Sequence, residues 1–366
     1  MRSRPRGWVA RNVIDGLMVL AVLVSSVWVV PRGVSSPGGP APRRTGAVVA
    51  PSPPTTLPVV PSTAVASTTA RRQPSAVVGR IRIDGFAEGL TFGAGALWMA
   101  AGDRLLRIDP VSGRVAARIP IAQKDSGPAG VAFGAGAVWV PVAVPGSVWR
   151  VDPASNKVVA RIPLGESLAG FIGVTASDDM VWITSGEQQD GQRGGILIRV
   201  DSHRNRVTAR LPLPGVPSDV AANRSSVWVA TTSGQVLVVE PGRGRIVGAV
   251  DTGGPLGFTQ TVALGPNSVW LADPLAKVVL RVDPASLRVV ARVATGPVTA
   301  LTVGDHAVWA VGPQGILRLD PSSNRVTAML PATELNGVLM VTTGGDWLWA
   351  GGAGMLAKVD PERIRA

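Results

Sequence analysis

The sequence predicts an all-β fold, a seven-bladed β-propeller, and three observations carry that prediction. Tryptophans recur at Trp98, Trp139, Trp182, Trp228, Trp270, Trp309 and Trp349, with gaps of 41, 43, 46, 42, 39 and 40 residues. Each is followed by an acidic residue, in turn Asp109, Asp152, Asp201, Glu240, Asp283, Asp320 and Asp360. Between these markers lie short apolar runs broken by Gly, Pro, Asp and Asn. A period of about 40–45 residues built this way is one four-stranded blade per repeat.

The chain before the repeats reads as three segments. Residues 1–12 are basic, with Arg2, Arg4, Arg6 and Arg11. Residues 13–30 are an apolar run that only Asp15 interrupts with charge. As a helix they would span about 27 Å, enough for a hydrocarbon core, and the preceding arginines favour retention of the N-terminal side in the cytoplasm. Trp28 suits the outer interface. No small-residue cleavage site follows Val30, since the next residues are Pro31, Arg32, Gly33 and Val34, so an uncleaved signal anchor is favoured over a cleaved signal peptide. Residues 31–76 hold ten prolines among Ser, Thr, Ala and Gly and cannot bury a core; they read as a disordered tether. Largely extended, it would reach on the order of 100 Å. The expected location is therefore the cell membrane, single-pass, with residues 77–366 as an extracytoplasmic propeller.

Within one blade, residues 130–133 form a first strand and Gly134-Ala135-Gly136 a tight turn. Residues 137–140, with Trp139, form the second strand, 147–151 the third and 157–163 the fourth. The turn between third and fourth strands is the best-defined local chemistry. It reads Asp-Pro-Val-Ser-Gly at 109–113, Asp-Pro-Ala-Ser-Asn at 152–156 and Asp-Pro-Ser-Ser-Asn at 320–324. The carboxylate accepts from turn amides, Pro presets φ, and the fifth residue takes a left-handed conformation. Gly113, Asn156, Asn205, Gly244 and Asn324 fit that demand, whereas Leu287 departs from it. The acidic series is thereby read as turn formers and the Trp series as core between blades. Residues 77–84 resemble a fourth strand yet precede the first complete blade, while the C-terminus stops after a third strand near 355–360. The N-terminal strand is expected to finish the last blade, outside residues 356–359, and so close the ring.

Composition excludes several functions. There is no cysteine, hence no disulfide, thiolate chemistry or lipidated cysteine. Of the net charge of +12, nine Arg against one Asp in residues 1–72 supply +8, leaving +4 for the rest. With no Tyr and with the Trp residues inside apolar strands, no nucleic-acid surface is predicted. The propeller arginines read as solvated strand faces. Arg outnumbers Lys 32 to 4, a bias typical of GC-rich bacterial genomes.

The segment from Val151 to Gly165, Val-Asp-Pro-Ala-Ser-Asn-Lys-Val-Val-Ala-Arg-Ile-Pro-Leu-Gly, resembles the YVTN-type β-propeller repeat, and the likeness runs through residues 77–361. It implies a seven-bladed extracytoplasmic propeller, without implying catalysis. The Gly-x-Gly-Ala-Val-Trp-Val strand pair also resembles the streptogramin (virginiamycin B) lyase group. That likeness implies elimination of a cyclic depsipeptide lactone by a His and a Glu with bound Mg²⁺ in the central funnel. Neither His203, in a third-to-fourth turn, nor His306, in a first-to-second turn, maps onto that machinery. Both are expected on the face away from the funnel, three blades apart.

No catalytic residue, metal ligand or cofactor site is therefore assigned. The expected function is a monomeric, non-enzymatic module binding an extracytoplasmic protein, peptide or envelope polymer; the alternative is a lyase or hydrolase with a funnel metal. In blade 3 the distance from Trp to Asp is 19 residues instead of 11 to 13. The inserted polar stretch at 187–193 makes Glu187, Asp190 and Arg193 candidate binding residues. Lys124, Asp125, Glu166 and Asp219, expected in interblade loops of the same face, join them.

Overall fold

The computed structural model describes residues 75–121, 126–189, 192–254, 262–335, 337–352 and 354–365, without the side chains of 187–189, 192 and 193. The basic segment, the expected transmembrane helix at 13–30 and the tether up to residue 74 lie outside the described residues. No helix among the described residues is long and apolar enough to cross a membrane.

Seven four-stranded antiparallel sheets make up the described chain, a seven-bladed propeller with only two short 3-10 turns. Blades 1 to 6 each take four consecutive strands. Blade 7 takes Val338–Gly344, Trp347–Gly352 and Met355–Val359, and its outer strand is the N-terminal Val77–Arg82. That strand pairs antiparallel with Met355–Val359, from Val77 opposite Val359 to Arg82 opposite Met355, so the ring closes as the sequence implied. The first strands of successive blades touch all the way round, which makes them the inner wall.

Second strands such as Ala96–Ala101 and Ala137–Val142 are buried at every residue, because both sheet faces are covered by neighbouring blades. Outer strands such as Lys157–Pro163 alternate, with Ile162 buried and Val159 exposed. Each seam holds one apolar cluster, and each cluster holds one tryptophan of the repeat series; Trp149 joins the cluster of Trp98, and Trp347 that of Trp349. Trp98 of blade 1 packs with Val131, Val138 and Val140 of blade 2, and the series continues to Trp349, which packs with Leu97 and Met99 of blade 1. All seven are at most 5% exposed. Trp98, Trp139 and Trp349 donate Nε1–H to the carbonyls of Gly93, Gly134 and Gly344, which removes the penalty of a buried polar group.

The arginines correct the reading of them as solvated faces. The residue opposite each tryptophan on the third strand is Arg107, Arg150, Arg199, Arg281, Arg318 or Lys358, and its cation lies 5.5–6.0 Å from the indole centroid. Five of these cations then reach the third-to-fourth turn of the next blade. Arg107 donates to Asn156 Oδ1, Arg150 to Ser202 O and Asn205 Oδ1, and Arg199 to Pro241 O and Gly242 O. Arg281 donates to Pro321 O and Asn324 Oδ1, and Lys358 to Pro110 O. Between blades 6 and 7 the chain ends take over: Met329 N donates to Arg365 O, and Arg80 to Glu334 O.

Blade 4 is the exception, and it explains Leu287. Val238 stands opposite Trp228, with no cation. Leu287 of the receiving turn keeps the left-handed φ of 55° but packs into the Trp228 cluster with Val238, its Cδ1 occupying the space a side chain on Gly248 would need. The Arg–Asn pair of the Arg107, Arg150 and Arg281 seams is replaced here by an apolar pair at both ends.

Two outcomes test these contacts. Arg150→Ala should destabilise the protein by about 1–3 kcal/mol through loss of the indole contact and two hydrogen bonds, and a double-mutant cycle with Asn205→Ala should show coupling of about 0.5 kcal/mol or more. Deleting residues 75–82 should lower the melting temperature sharply or cause aggregation, since it bares the edge of Met355–Val359, whereas deleting residues 31–72 should leave the melting temperature unchanged.

Candidate functional site

The two ends of the ring have different roles. At one end lie the first-to-second and third-to-fourth turns. His203 Nε2 is 2.7 Å from Asp179 Oδ1, and Ser202 N donates to Asp179 O, so these two turn classes share a face. His306 is exposed in its own turn, where Gly304 N donates to Ala307 O. The imidazoles thus sit on the turn face, in blades 3 and 6, as the sequence implied.

The acidic residues of this face are turn formers. Asp109 Oδ1 accepts from Val111 N, Ser112 N and Ser112 Oγ; Asp152 Oδ1 accepts from Ala154 N, Ser155 N and Ser155 Oγ. These donations hold Asp109, Asp152, Asp201 and Asp283 below the usual carboxylate range. Asp320 is held at about 2 by Ser322 and Ser323.

At the other end, interblade loops and second-to-third loops bond to each other. Leu164 N donates to Gly146 O, Leu168 N to Ala143 O and Gly186 N to Ala169 O. From this loop face rises the blade 3 insertion, which is a hairpin arm instead of an open loop. Its strands, Met180–Gln189 and Gln192–Asp201, are ten residues each, with Glu187 opposite Gly194 and Gln188 opposite Arg193. The inner strand stops at Gly173 opposite Thr184, and the outer strand at Leu213 opposite Gly195. Beyond Gly186, whose amide goes to Ala169 O, residues 187–189 and 192–194 pair in the ladder only with each other, and both edges of that part of the arm are open.

The other expected site residues are placed separately. Lys124, Asp125 and Asp190 lie outside the described residues. Glu166 is on the loop face, its Oε1 3.7 Å from Arg210 Nε. Asp219 sits on the inner strand Pro217–Ala222 of blade 4, where Oδ2 accepts from Val262 N of blade 5 at 2.9 Å and Oδ1 from Val220 N at 2.8 Å. Some of its surface meets solvent, yet the carboxyl is crowded by protein, and burial pushes it up to about 7 against the pull of both amides. Glu88, on the inner strand Ala87–Gly93 of blade 1, is a second inner-wall acid that sequence reasoning missed; desolvation raises it although water reaches it. The available signal was an acid interrupting an apolar first strand.

A cleft of about 350 Å³ opens on the loop face of blade 2, floored by Trp149 and lined by Val142, Val144, Pro145, Arg161 and Pro163. Arg161 stacks on Trp149 at 4.2 Å. Among the described residues, no three His, Asp or Glu converge to hold a metal ion.

A propeller with a structurally locked turn face and an elaborated loop face is the class of protein these features define. No family model matches the chain, and no curated protein is similar to it in sequence. The solved Neurospora crassa Pan2 WD40 domain is similar in fold, with a TM-score of 0.62 and 15% identity over 79% of this chain and 96% of that domain.

The turn carboxylates set the acid response. Their stabilisation is complete above about pH 4 and is lost as pH falls toward 2, because the folded-state values lie below the unfolded ones. Asp320→Ala should lower the melting temperature at pH 7, and the gap from the parent should narrow steadily between pH 4 and pH 2. A gap constant with pH would remove the carboxylate from the turn's energetics.

Proposed function

We propose that this protein is a membrane-anchored extracytoplasmic binding module whose loop face, with the blade 3 arm at its centre, takes up a protein, peptide or envelope polymer. The observation that carries the reading is the arm: a ribbon of polar sequence standing past the loops with both ladder edges unpaired. Open edges accept an extended partner segment by strand addition. The fold adds support, since WD40-like propellers typically mediate protein interactions. The apolar run at 13–30 and the Pro-rich stretch after it support an anchor and a spacer.

One experiment tests location and site together. Intact cells are treated with a membrane-impermeant crosslinker, using the parent chain and a variant in which residues 187–193 are replaced by Asn-Gly. The parent should give a discrete crosslinked species and the variant should lose it at an unchanged melting temperature. No labelling of the parent would overturn the extracytoplasmic placement, and equal capture by the variant would remove the arm from the site.

A further inference from the structure

The seam between blades 4 and 5 combines an apolar outer contact, Val238 with Leu287, with a carboxyl bridging its inner side, a combination that no other described seam shows. On the outer side no cation links the tryptophan to the next blade's turn, as also between blades 6 and 7, but here Val238 faces the indole and Leu287 packs against it from the turn. On the inner side, the register position two residues before the tryptophan's partner is Gly89, Gly130 and Gly173 in blades 1 to 3, and Ala300 and Met340 in blades 6 and 7. At the glycines the strands pack so closely that a Cβ on Gly89 would stand 2.7 Å from Val131 N, and one on Gly173 3.3 Å from Val220 N. In blade 4 that position is Asp219, and its carboxyl spans the seam to Val262 N. Beside it Ser218 Oγ is buried without a hydrogen-bond partner.

We propose that the blade 4–5 seam is the hinge of the ring, where the inner strands part first, and that ionisation of Asp219 controls the parting. The outer edge still holds, because Arg292 Nη2 donates to Thr252 O at 2.8 Å and Leu287 packs across. At the inner edge this carboxyl makes the hydrogen bond across the seam, beside the apolar packing of Val262 in the Trp228 cluster. Of the elements packed against the Asp219 strand, Gly173–Ser177, Val227–Thr231 and Val262–Leu264 carry no titratable group. Met180–Gln189 carries Glu187, in the arm. Gln192–Asp201 carries Arg193, in the arm, together with Arg199 and Asp201, which are engaged at the turn face. Among the described residues, the partners of the Asp219 carboxyl are two backbone amides and no cation. With the carboxyl pushed up to about 7, the neutral acid fits the closed seam, and the carboxylate is relieved when water enters. Water would also satisfy Ser218. The seam is thus tightest below pH 4 and loosens as pH rises through 7, next to the blade that carries the arm.

Hydrogen exchange of the full chain, read by mass spectrometry and corrected for base catalysis, tests this. Peptides covering 217–222 and 262–264 should open first among the inner strands, with an opening constant rising about 50-fold between pH 5 and pH 7. Asp219→Asn should remove that pH dependence. Val238→Arg with Leu287→Asn, which installs the latch of the Arg107, Arg150 and Arg281 seams, should slow opening there and leave the pH dependence in place. Equal or faster opening at another seam would overturn the hinge, and an unchanged pH profile in Asp219→Asn would overturn its control by that carboxyl.

Discussion

The ring depends on a buried indole capped by a cation that belongs half to the next blade. A single four-stranded blade cannot stand alone, because both of its faces are apolar at the second strand. Each seam buries one tryptophan of the repeat series; in six the facing Arg or Lys covers the indole, and in five of those its donors also satisfy carbonyls or Asn Oδ1 in the neighbouring turn. One side chain therefore shields the cluster from water, sets the rotation of one blade against the next, and ties the turn. The exchange of Arg and Asn for Val238 and Leu287 shows how tightly the two ends are matched. A cation facing Leu287 would lack the Asn Oδ1 that Arg107, Arg150 and Arg281 reach, and an Asn facing Val238 would lose its donor, which favours a change at both ends.

Much of this was legible because the repeats report on each other. Seven tryptophans and seven acids at a near-constant interval reveal the blade number, and a lone fourth-strand pattern ahead of the first blade reveals how the ring closes. Turn chemistry was legible from Asp, Pro and the Gly or Asn at the fifth place, since φ is dictated locally. The arginines were not. Their periodic position on the third strand was visible, but contact with an indole two strands in from the outer edge, and with a turn about 40 residues on, depends on cross-strand register and on blade rotation. Leu287 looked anomalous for the same reason: its partner Val238 is 49 positions away in the chain.

The site was less legible than the fold. The excess of residues between Trp182 and Asp201 identified the arm's position, yet not its form, because Glu-Gln-Gln-Asp-Gly-Gln-Arg has no alternation that separates ribbon from loop. Asp219 was visible as an acid near an interblade junction. Its role in the seam was not, because the deciding fact is a backbone amide from the next blade, a partner that carries no side-chain signature. Glu88 escaped notice on the same ground.

The asymmetry between the two faces bears on where function can reside. Every latch ends on a third-to-fourth turn, and five such turns share the same five-residue geometry with an amide returning to the carbonyl four residues back, as Asn156 N does to Asp152 O. A longer turn would move its carbonyls away from the incoming cation, so insertion there breaks a seam. On the loop face the arginine bonds across seams, Arg210 to Leu164 O and Arg292 to Thr252 O, start from fourth strands instead of the second and third, and the blade 3 loops meet through backbone contacts. A blade can lengthen its second and third strands in register, as blade 3 does, without disturbing any cation or tryptophan. Variation is cheap on the loop face and costly on the turn face, so recognition can be elaborated on the loop face while the turn face holds the ring.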